Sequence, residues 1–115
     1  MATALELIEI EEVARLTAPG DVFTAAERAY AASKTDPERR LAVRLAAKQA
    51  TLRLLGGGLG FGDVEILPAR GGPPSLRLSP QATLRLRALG ATRTLVSLTH
   101  GRSHAAATVL ALEDA

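Results

Sequence analysis

Apolar residues alternate with polar ones at both ends of the chain, and this spacing predicts strands there. Residues 4–10 read Ala-Leu-Glu-Leu-Ile-Glu-Ile, a short strand that passes into a helical turn over residues 11–16. Residues 92–99 and 104–112 are β-branched or alternating apolar stretches separated by a glycine. The sequence therefore predicts one strand at the start of the chain and two at its end.

Two helices are predicted in the first half of the chain, after the first strand. Thr24 is followed three residues later by Glu27, which is the sequence pattern of a capping box and predicts a helix over residues 25–33. Asp36 and Pro37 then form a typical helix start, with the aspartate as the cap and the proline at the first helical position.

The second of these helices is the longest predicted element. It extends to Gly56, a residue type that commonly ends helices. Apolar positions at three- and four-residue spacing predict one buried side, and Arg44 and Arg53 fall away from it. The buried side is predicted to contain Leu41, Leu45, Lys48, Leu52 and Leu55. This helix is therefore expected at the centre of the core.

The remaining stretch predicts a hairpin and another helix. A glycine-rich connection leads to strands at residues 63–67 and 75–78, and a helix follows at residues 81–89. Together these elements predict an α+β fold in which a mainly antiparallel sheet packs with a long central helix. We expect a single domain over residues 1–115.

Composition limits the class of protein. A chain of 115 residues and 12.0 kDa has room for one domain, which excludes an enzyme with separate cofactor and substrate domains. It contains no cysteine, so disulfides and thiolate chemistry are also excluded. Aromatic residues make up only 3% of the chain. A core with so few large side chains favours an oligomer.

Hydropathy and charge suggest where the protein works. The chain lacks a run of about 18 apolar residues, and its acidic start differs from the basic start of a signal peptide. We therefore expect a cytoplasmic protein that does not contact the membrane. Twelve of the fourteen basic residues are arginines, which suit bidentate contacts to phosphate, although arginines on solvated helix faces are common. Nucleic acid is not an expected partner, because aromatic residues are not interleaved with the basic ones.

The first candidates for chemistry are carboxylates and a histidine at strand positions. Glu6 and Glu9 lie on the first predicted strand, where a carboxylate could bind a hard cation such as magnesium. Positions three apart on a strand point to opposite faces, so at most one of the two serves a given site. His100 ends an apolar strand at a glycine turn, a common place for ligand contact, although a lone histidine is more often a structural hydrogen-bonding residue.

The second group of candidates is basic. Arg44 and Lys48 are four residues apart on the long helix, a spacing that suits two cations binding one polyphosphate, and Arg53 adds a third charge. The same spacing is common on solvated helices, and the glycine run at residues 56–62 lacks the Lys-Ser/Thr of a P-loop. A phosphate site and a solvated helix face therefore both remain possible interpretations.

Blocks of residues along the chain, in their order and spacing, carry a family resemblance. Phe-Thr-x-x-Glu-x-x-Tyr at residues 23–30 is complete, and residues 44–50 are similar to the specific stretch Arg-Phe-Ala-Ala-Lys-Glu-Ala. The other matching blocks are residues 4–10, 63–66, 72–74 and 96–100. From about residue 4 to residue 111 the chain resembles the holo-acyl-carrier-protein synthase family, the small trimeric 4'-phosphopantetheinyl transferases.

This resemblance implies transfer of the 4'-phosphopantetheine arm of coenzyme A to a serine hydroxyl of an acyl carrier protein, with magnesium on the pyrophosphate. By position, Glu6 and Gln49 would be metal ligands and catalytic residues, and Lys48 would assist them. The coenzyme would be bound by Arg44, Lys48, Arg53, Gly56, Gly57, Gly58, Pro74, Thr99 and His100. The family's coenzyme cleft lies between neighbouring subunits, so a homotrimer is also implied.

Two departures from the family pattern fall on the implied catalytic pair. Glu6 stands where the family has Asp, and Gln49 stands where the family has Glu. An amide cannot accept the serine proton, and loss of a general base typically lowers a rate by about 10²–10⁴-fold. We therefore expect a slow or specialised transferase. The alternative is a catalytically degenerate member, which either binds coenzyme A and acyl carrier protein as a trimeric module or serves another step on carrier-bound acyl chains.

Overall fold

The computed structural model describes residues 1–113, and each element expected from the sequence is present with its ends displaced by at most two residues. The helices are α1 (Glu11–Ala14), α2 (Ala25–Ala32), α3 (Pro37–Leu55) and α4 (Pro80–Ala88). The strands are β1 (Ala2–Glu9), β2 (Val64–Leu67), β3 (Ser75–Leu78), β4 (Arg93–His100) and β5 (His104–Leu112). Short 3-10 turns at Pro19–Asp21 and Phe61–Asp63, which the sequence pattern did not predict, connect some of them.

The strands form two antiparallel sheets. A three-stranded sheet has the order β1-β5-β4, so the strands from the two ends of the chain lie together, and β2 pairs with β3 in a separate hairpin. The register places Ala107 of β5 beside both Glu6 of β1 and Leu98 of β4. The α+β class with a mainly antiparallel sheet and a long central helix is therefore confirmed.

Helix α3 packs across the three-stranded sheet through small side chains. Ala46, Ala47 and Ala50 of the helix are fully buried, as are Ala105 and Ala107 of the facing strand. Alanines allow the helix backbone to approach the sheet closely, so a core with few aromatic rings can still be closely packed. This close packing fixes the positions of the helix side chains at the edges of the interface.

Alternation along β1 gives that strand two different faces. Ala4 and Ile8 are buried against the core, and Glu6 shares their side of the strand. Leu5 and Leu7 point away from the core and are 60% and 65% exposed. Glu9 lies on this outer side, so Glu6 and Glu9 are on opposite faces.

The environment of α3 differs from the sequence expectation in two places. Asp36 does not cap the helix with its side chain; its Oδ1 accepts a hydrogen bond from Arg40 Nε at 3.0 Å. Arg44, predicted to face away from the buried side, is only 4% exposed. Helices α1 and α2 also pack against α3, so more than one side of the long helix is covered.

No helix within residues 1–113 is both long and apolar enough to cross a bilayer.

Candidate functional site

A cleft beside α3 brings together three of the residues predicted to bind a coenzyme. Arg44 from the helix, Pro74 from the β2–β3 hairpin and His100 from the end of β4 line it, together with Tyr30 and Arg40. The cleft has a volume of about 250 Å³. Residues far apart in the sequence thus converge on one place with three basic side chains.

Arg44 is the most buried of these basic side chains. Its Nη1 donates a hydrogen bond to the Arg40 carbonyl oxygen at 2.9 Å, and its guanidinium lies 4.5 Å from the centre of the Tyr30 ring. Its buried Nε has no hydrogen-bond partner within residues 1–113. Burial lowers the pKa of Arg44, but an arginine remains charged at neutral pH. The cleft wall therefore holds a cation with a donor that is not satisfied by the protein.

Two residues of the cleft were not given a role by the sequence analysis. Tyr30 ends the Phe-Thr-x-x-Glu-x-x-Tyr block, and Arg40 precedes Arg44 by one helical turn. The hydrogen bond from Arg40 holds the pKa of the Asp36 carboxyl below its usual range, and the charge of His100 adds to this effect. The four-residue spacing from Arg40 to Arg44 was the signal that could have identified Arg40.

Lys48 lies elsewhere, in the interior. Its side chain is fully buried, and its Nζ is 2.7 Å from Glu27 Oε1. The ammonium also donates to the carbonyl oxygens of Val64 at 2.7 Å and Phe61 at 3.2 Å. Three partners satisfy the three N–H groups of an ammonium, so this geometry does not fit the expected phosphate contact. The side chains of Arg44 and Lys48 are therefore not placed to bind one phosphate together.

The carboxylate of Glu27 is also fully used. Its Oε1 accepts a hydrogen bond from the Thr24 backbone N–H at 2.8 Å, which completes the predicted capping box. Its Oε2 accepts from the Ile66 backbone N–H at 2.9 Å. Glu27 thus joins α2, α3 and β2.

Glu6 and Arg53 form a second polar cluster, which we call the edge pair. Arg53 Nη1 lies 2.7 Å from Glu6 Oε1, and Arg53 Nη2 donates to the carbonyl oxygen of Leu5. Gln49 is half-buried and lies one turn before Arg53 on α3. Helix α3 and the edge strand β1 thus hold Arg53 and Glu6 together.

The edge pair does not fit a magnesium ion. Glu6 and Gln49 supply one carboxylate and one amide, and the carboxylate is already bound to a guanidinium. Within the described chain, no group of three His, Cys, Asp or Glu side chains could hold a metal ion. Magnesium is usually held by one or two carboxylates with waters and phosphates, and here a cation on Glu6 Oε1 would have to displace the Arg53 guanidinium.

The other predicted coenzyme residues are not at the Arg44 cleft. Gly57 and Gly58 line a separate groove of about 340 Å³ with Arg85, whose Nη2 donates to the Gly57 carbonyl oxygen at 2.8 Å. Gly56 and Gly58 follow the end of α3. Their φ angles of 94° and 88° lie in the region that favours glycine. Thr99 precedes His100 on β4, so its side chain points to the opposite face of the sheet.

A wider groove of about 510 Å³ lies beside the start of α3. Its lining includes the carboxylates of Glu11, Asp36 and Glu38 as well as the guanidinium groups of Arg39 and Arg102. Three carboxylates repel a phosphate-bearing ligand, so volume alone does not make this groove the better candidate.

The fold and the Arg44 cleft define a small α+β domain in which a long helix and an antiparallel sheet hold basic side chains around one opening. A sequence model of the 4'-phosphopantetheinyl transferase superfamily matches residues 8–109. A holo-[acyl-carrier-protein] synthase of Syntrophus aciditrophicus is 35% identical over 94% of this chain and 92% of its own. The chain therefore belongs to the 4'-phosphopantetheinyl transferase superfamily, within the holo-acyl-carrier-protein synthase family.

Two further comparisons agree with this assignment. The chain is 49% identical to a holo-[acyl-carrier-protein] synthase of Nitratidesulfovibrio vulgaris strain Hildenborough, over 65% of this chain and 64% of that protein. The matched part thus spans just under two thirds of that relative's length. A crystal structure of the Helicobacter pylori holo-[acyl-carrier-protein] synthase in complex with coenzyme A has a TM-score of 0.76 and 18% identity, and it covers 96% of this chain and 99% of its own. This likeness supports the fold.

Proposed function

We propose that the protein transfers the 4'-phosphopantetheine arm of coenzyme A to a serine of an acyl carrier protein. The serine oxygen bonds to the phosphorus that carries pantetheine, the bond from that phosphorus to the bridging diphosphate oxygen breaks, and 3',5'-ADP leaves. Such a transfer requires neutralised phosphate charge, an aligned nucleophile and removal of its proton. Gln49 cannot accept that proton. The proton therefore passes to solvent, and the reaction is slow.

The observation that carries this proposal is the meeting of Arg44, Pro74 and His100 in one cleft. The guanidinium of Arg44 lines this cleft and can donate to a phosphate, and the neighbouring His100 imidazole can donate a second hydrogen bond. The cleft is smaller than sites that enclose a drug-sized ligand, which are about 300–1,000 Å³. It therefore holds a phosphate-bearing part of the coenzyme, and the remainder extends beyond one chain.

Intact-mass analysis tests the transfer. Apo acyl carrier protein is incubated with coenzyme A and this protein, both with magnesium chloride and with a chelator. A mass gain of one phosphopantetheine that requires this protein supports the proposal. Coenzyme A binding without any mass gain would instead favour the alternative of a binding module that has lost transfer activity.

Substitutions in the cleft should weaken coenzyme binding. Arg44→Lys and His100→Ala each remove hydrogen bonds to a charged phosphate, and we expect the Kd for coenzyme A to rise by about 10- to 100-fold. Calorimetric titration measures the change, and circular dichroism checks that each variant is folded. The matched control is Arg87→Ala on α4, an exposed arginine outside the cleft, which should leave the Kd unchanged. Equal Kd values for cleft and control variants would contradict the assignment of the cleft.

A homotrimer with sites between subunits is the second part of the proposal. The outer face of the three-stranded sheet carries Leu5, Leu7 and Leu95, which are 60%, 65% and 46% exposed. Thr99 belongs to the same face. A neighbouring copy packed on this face would therefore bring Thr99 close to a coenzyme site between the subunits. Exposed apolar groups on one face are typical of an association surface. This packing would also supply the burial that a short chain with few aromatic residues lacks.

A charge on this face should separate the subunits. We expect Leu7→Glu to lower the mass in solution from three chains to one, because three carboxylates cannot be desolvated at the interface. Light scattering after size exclusion measures the mass against the 12.0 kDa of one chain. Leu84→Glu on α4, where the leucine is 68% exposed, is the matched control and should leave the trimer intact. A monomeric protein before any substitution would overturn the trimer.

The proposed place of work is the cytoplasm. The lack of cysteine in the chain supports this location. Fractionation of cells that express the full chain tests it.

A further inference from the structure

The edge pair offers N–H donors to an anion on its exposed side. The Glu6 side chain is 21% exposed and the Arg53 side chain is 59% exposed, so a ligand can reach the guanidinium. A guanidinium has five N–H donors, of which the contacts to Glu6 and the Leu5 carbonyl use two. The donors on the exposed side suit the oxygens of a phosphate.

The neighbouring residue on α3, Gln49, adds no negative charge to the edge pair. Gln49 carries no charge, so Glu6, Arg53 and Gln49 sum to zero. A glutamate at position 49 would make the sum −1, which would repel a diphosphate unless a cation came with it. With glutamine there, a diphosphate can approach Arg53 without an accompanying metal.

We infer that this chain binds the diphosphate of coenzyme A without a divalent cation, and that Arg53 supplies the positive charge in place of the metal. Glu6 is then a positioning residue, because it holds the guanidinium at the edge of β1 and does not bind a cation. This inference rests on the proposed function, since it assigns the charge that accompanies the coenzyme diphosphate to the edge pair, a cluster separate from the Arg44 cleft.

Calorimetric titration of the full chain with coenzyme A tests the inference, once in EDTA and once in magnesium chloride at equal ionic strength. We expect the two Kd values to agree within about threefold. A Kd that is at least tenfold lower with magnesium would overturn the inference and leave the proposed function standing. Absence of binding in both media would overturn both.

Variants of Arg53 separate its role in binding from a purely structural one. In EDTA, Arg53→Ala should raise the Kd for coenzyme A by about 10- to 100-fold. Magnesium should recover part of this loss, because Glu6 is then free to bind the ion. The double variant Arg53→Ala with Glu6→Gln should show no recovery, and the control Arg87→Ala should bind normally. If Arg53 only clamps α3 to β1, its replacement lowers the melting temperature and leaves the Kd unchanged in both media.

Discussion

Gln49→Glu is expected to raise the rate of holo-acyl-carrier-protein formation by about 10²–10⁴-fold. Gln49 is half-buried on α3, one turn before the Arg53 that pairs with Glu6. In the proposed reaction, the Gln49 amide can hydrogen-bond to the serine hydroxyl but cannot take the proton that the serine loses. A carboxylate at this position restores a general base without a change of side-chain length.

The pH profile gives this prediction a second readout. A carboxylate accepts a proton only when it is ionised, so the rate of Gln49→Glu should increase as the pH rises through the pKa of the new side chain. The unsubstituted chain should lack this rising limb. Initial rates of the mass gain on the carrier protein, measured across pH, provide the test.

Two comparisons make the Gln49→Glu result specific. Gln81→Glu is the matched control, since the same change is made on the exposed surface of α4 and should leave the rate unaltered. Assays in EDTA then separate a base from a metal ligand. A gain that persists in EDTA identifies the new carboxylate as a base, whereas a gain that requires magnesium means that the second carboxylate has created a metal site.

Local patterns predicted the elements of this fold because each rests on residues that are close in the sequence. The capping box of Thr24 and Glu27 formed as expected, and Gly56 ends α3 as expected. Asp36 was the exception, because Arg40 one turn later competes for its carboxylate. Such local competition is not visible in a pattern of preferred helix starts.

The environments of the basic side chains depend on contacts between distant parts of the chain. The four-residue spacing of Arg44 and Lys48 suited two cations binding one polyphosphate, but Tyr30 covers the first and Glu27 neutralises the second. A helical pattern identifies which residues share a face and does not identify what packs on it. The resemblance placed Arg44 and His100 among the coenzyme residues, and the tertiary structure brought them into one cleft.

Glu27→Gln is expected to destabilise the protein by about 3–5 kcal/mol, because it leaves the fully buried ammonium of Lys48 without its counter-charge. A small domain has a total stability of roughly 5–15 kcal/mol, so this loss removes a large share of it. Urea unfolding followed by circular dichroism measures the difference. Lys48→Met should cost a similar amount, because it leaves the Glu27 carboxylate buried and unpaired.

The double variant Glu27→Gln with Lys48→Met should be more stable than the sum of the two single effects predicts, by about 1–3 kcal/mol, because neither charge is then buried alone. The surface control is Glu11→Gln, which breaks the exposed pair with Arg15 and should cost about 0–1 kcal/mol. If Lys48 bound a phosphate instead, Lys48→Met would keep its stability and lose coenzyme affinity. Because the ammonium lies in the interior, we instead expect the folded double variant to bind coenzyme A with normal affinity.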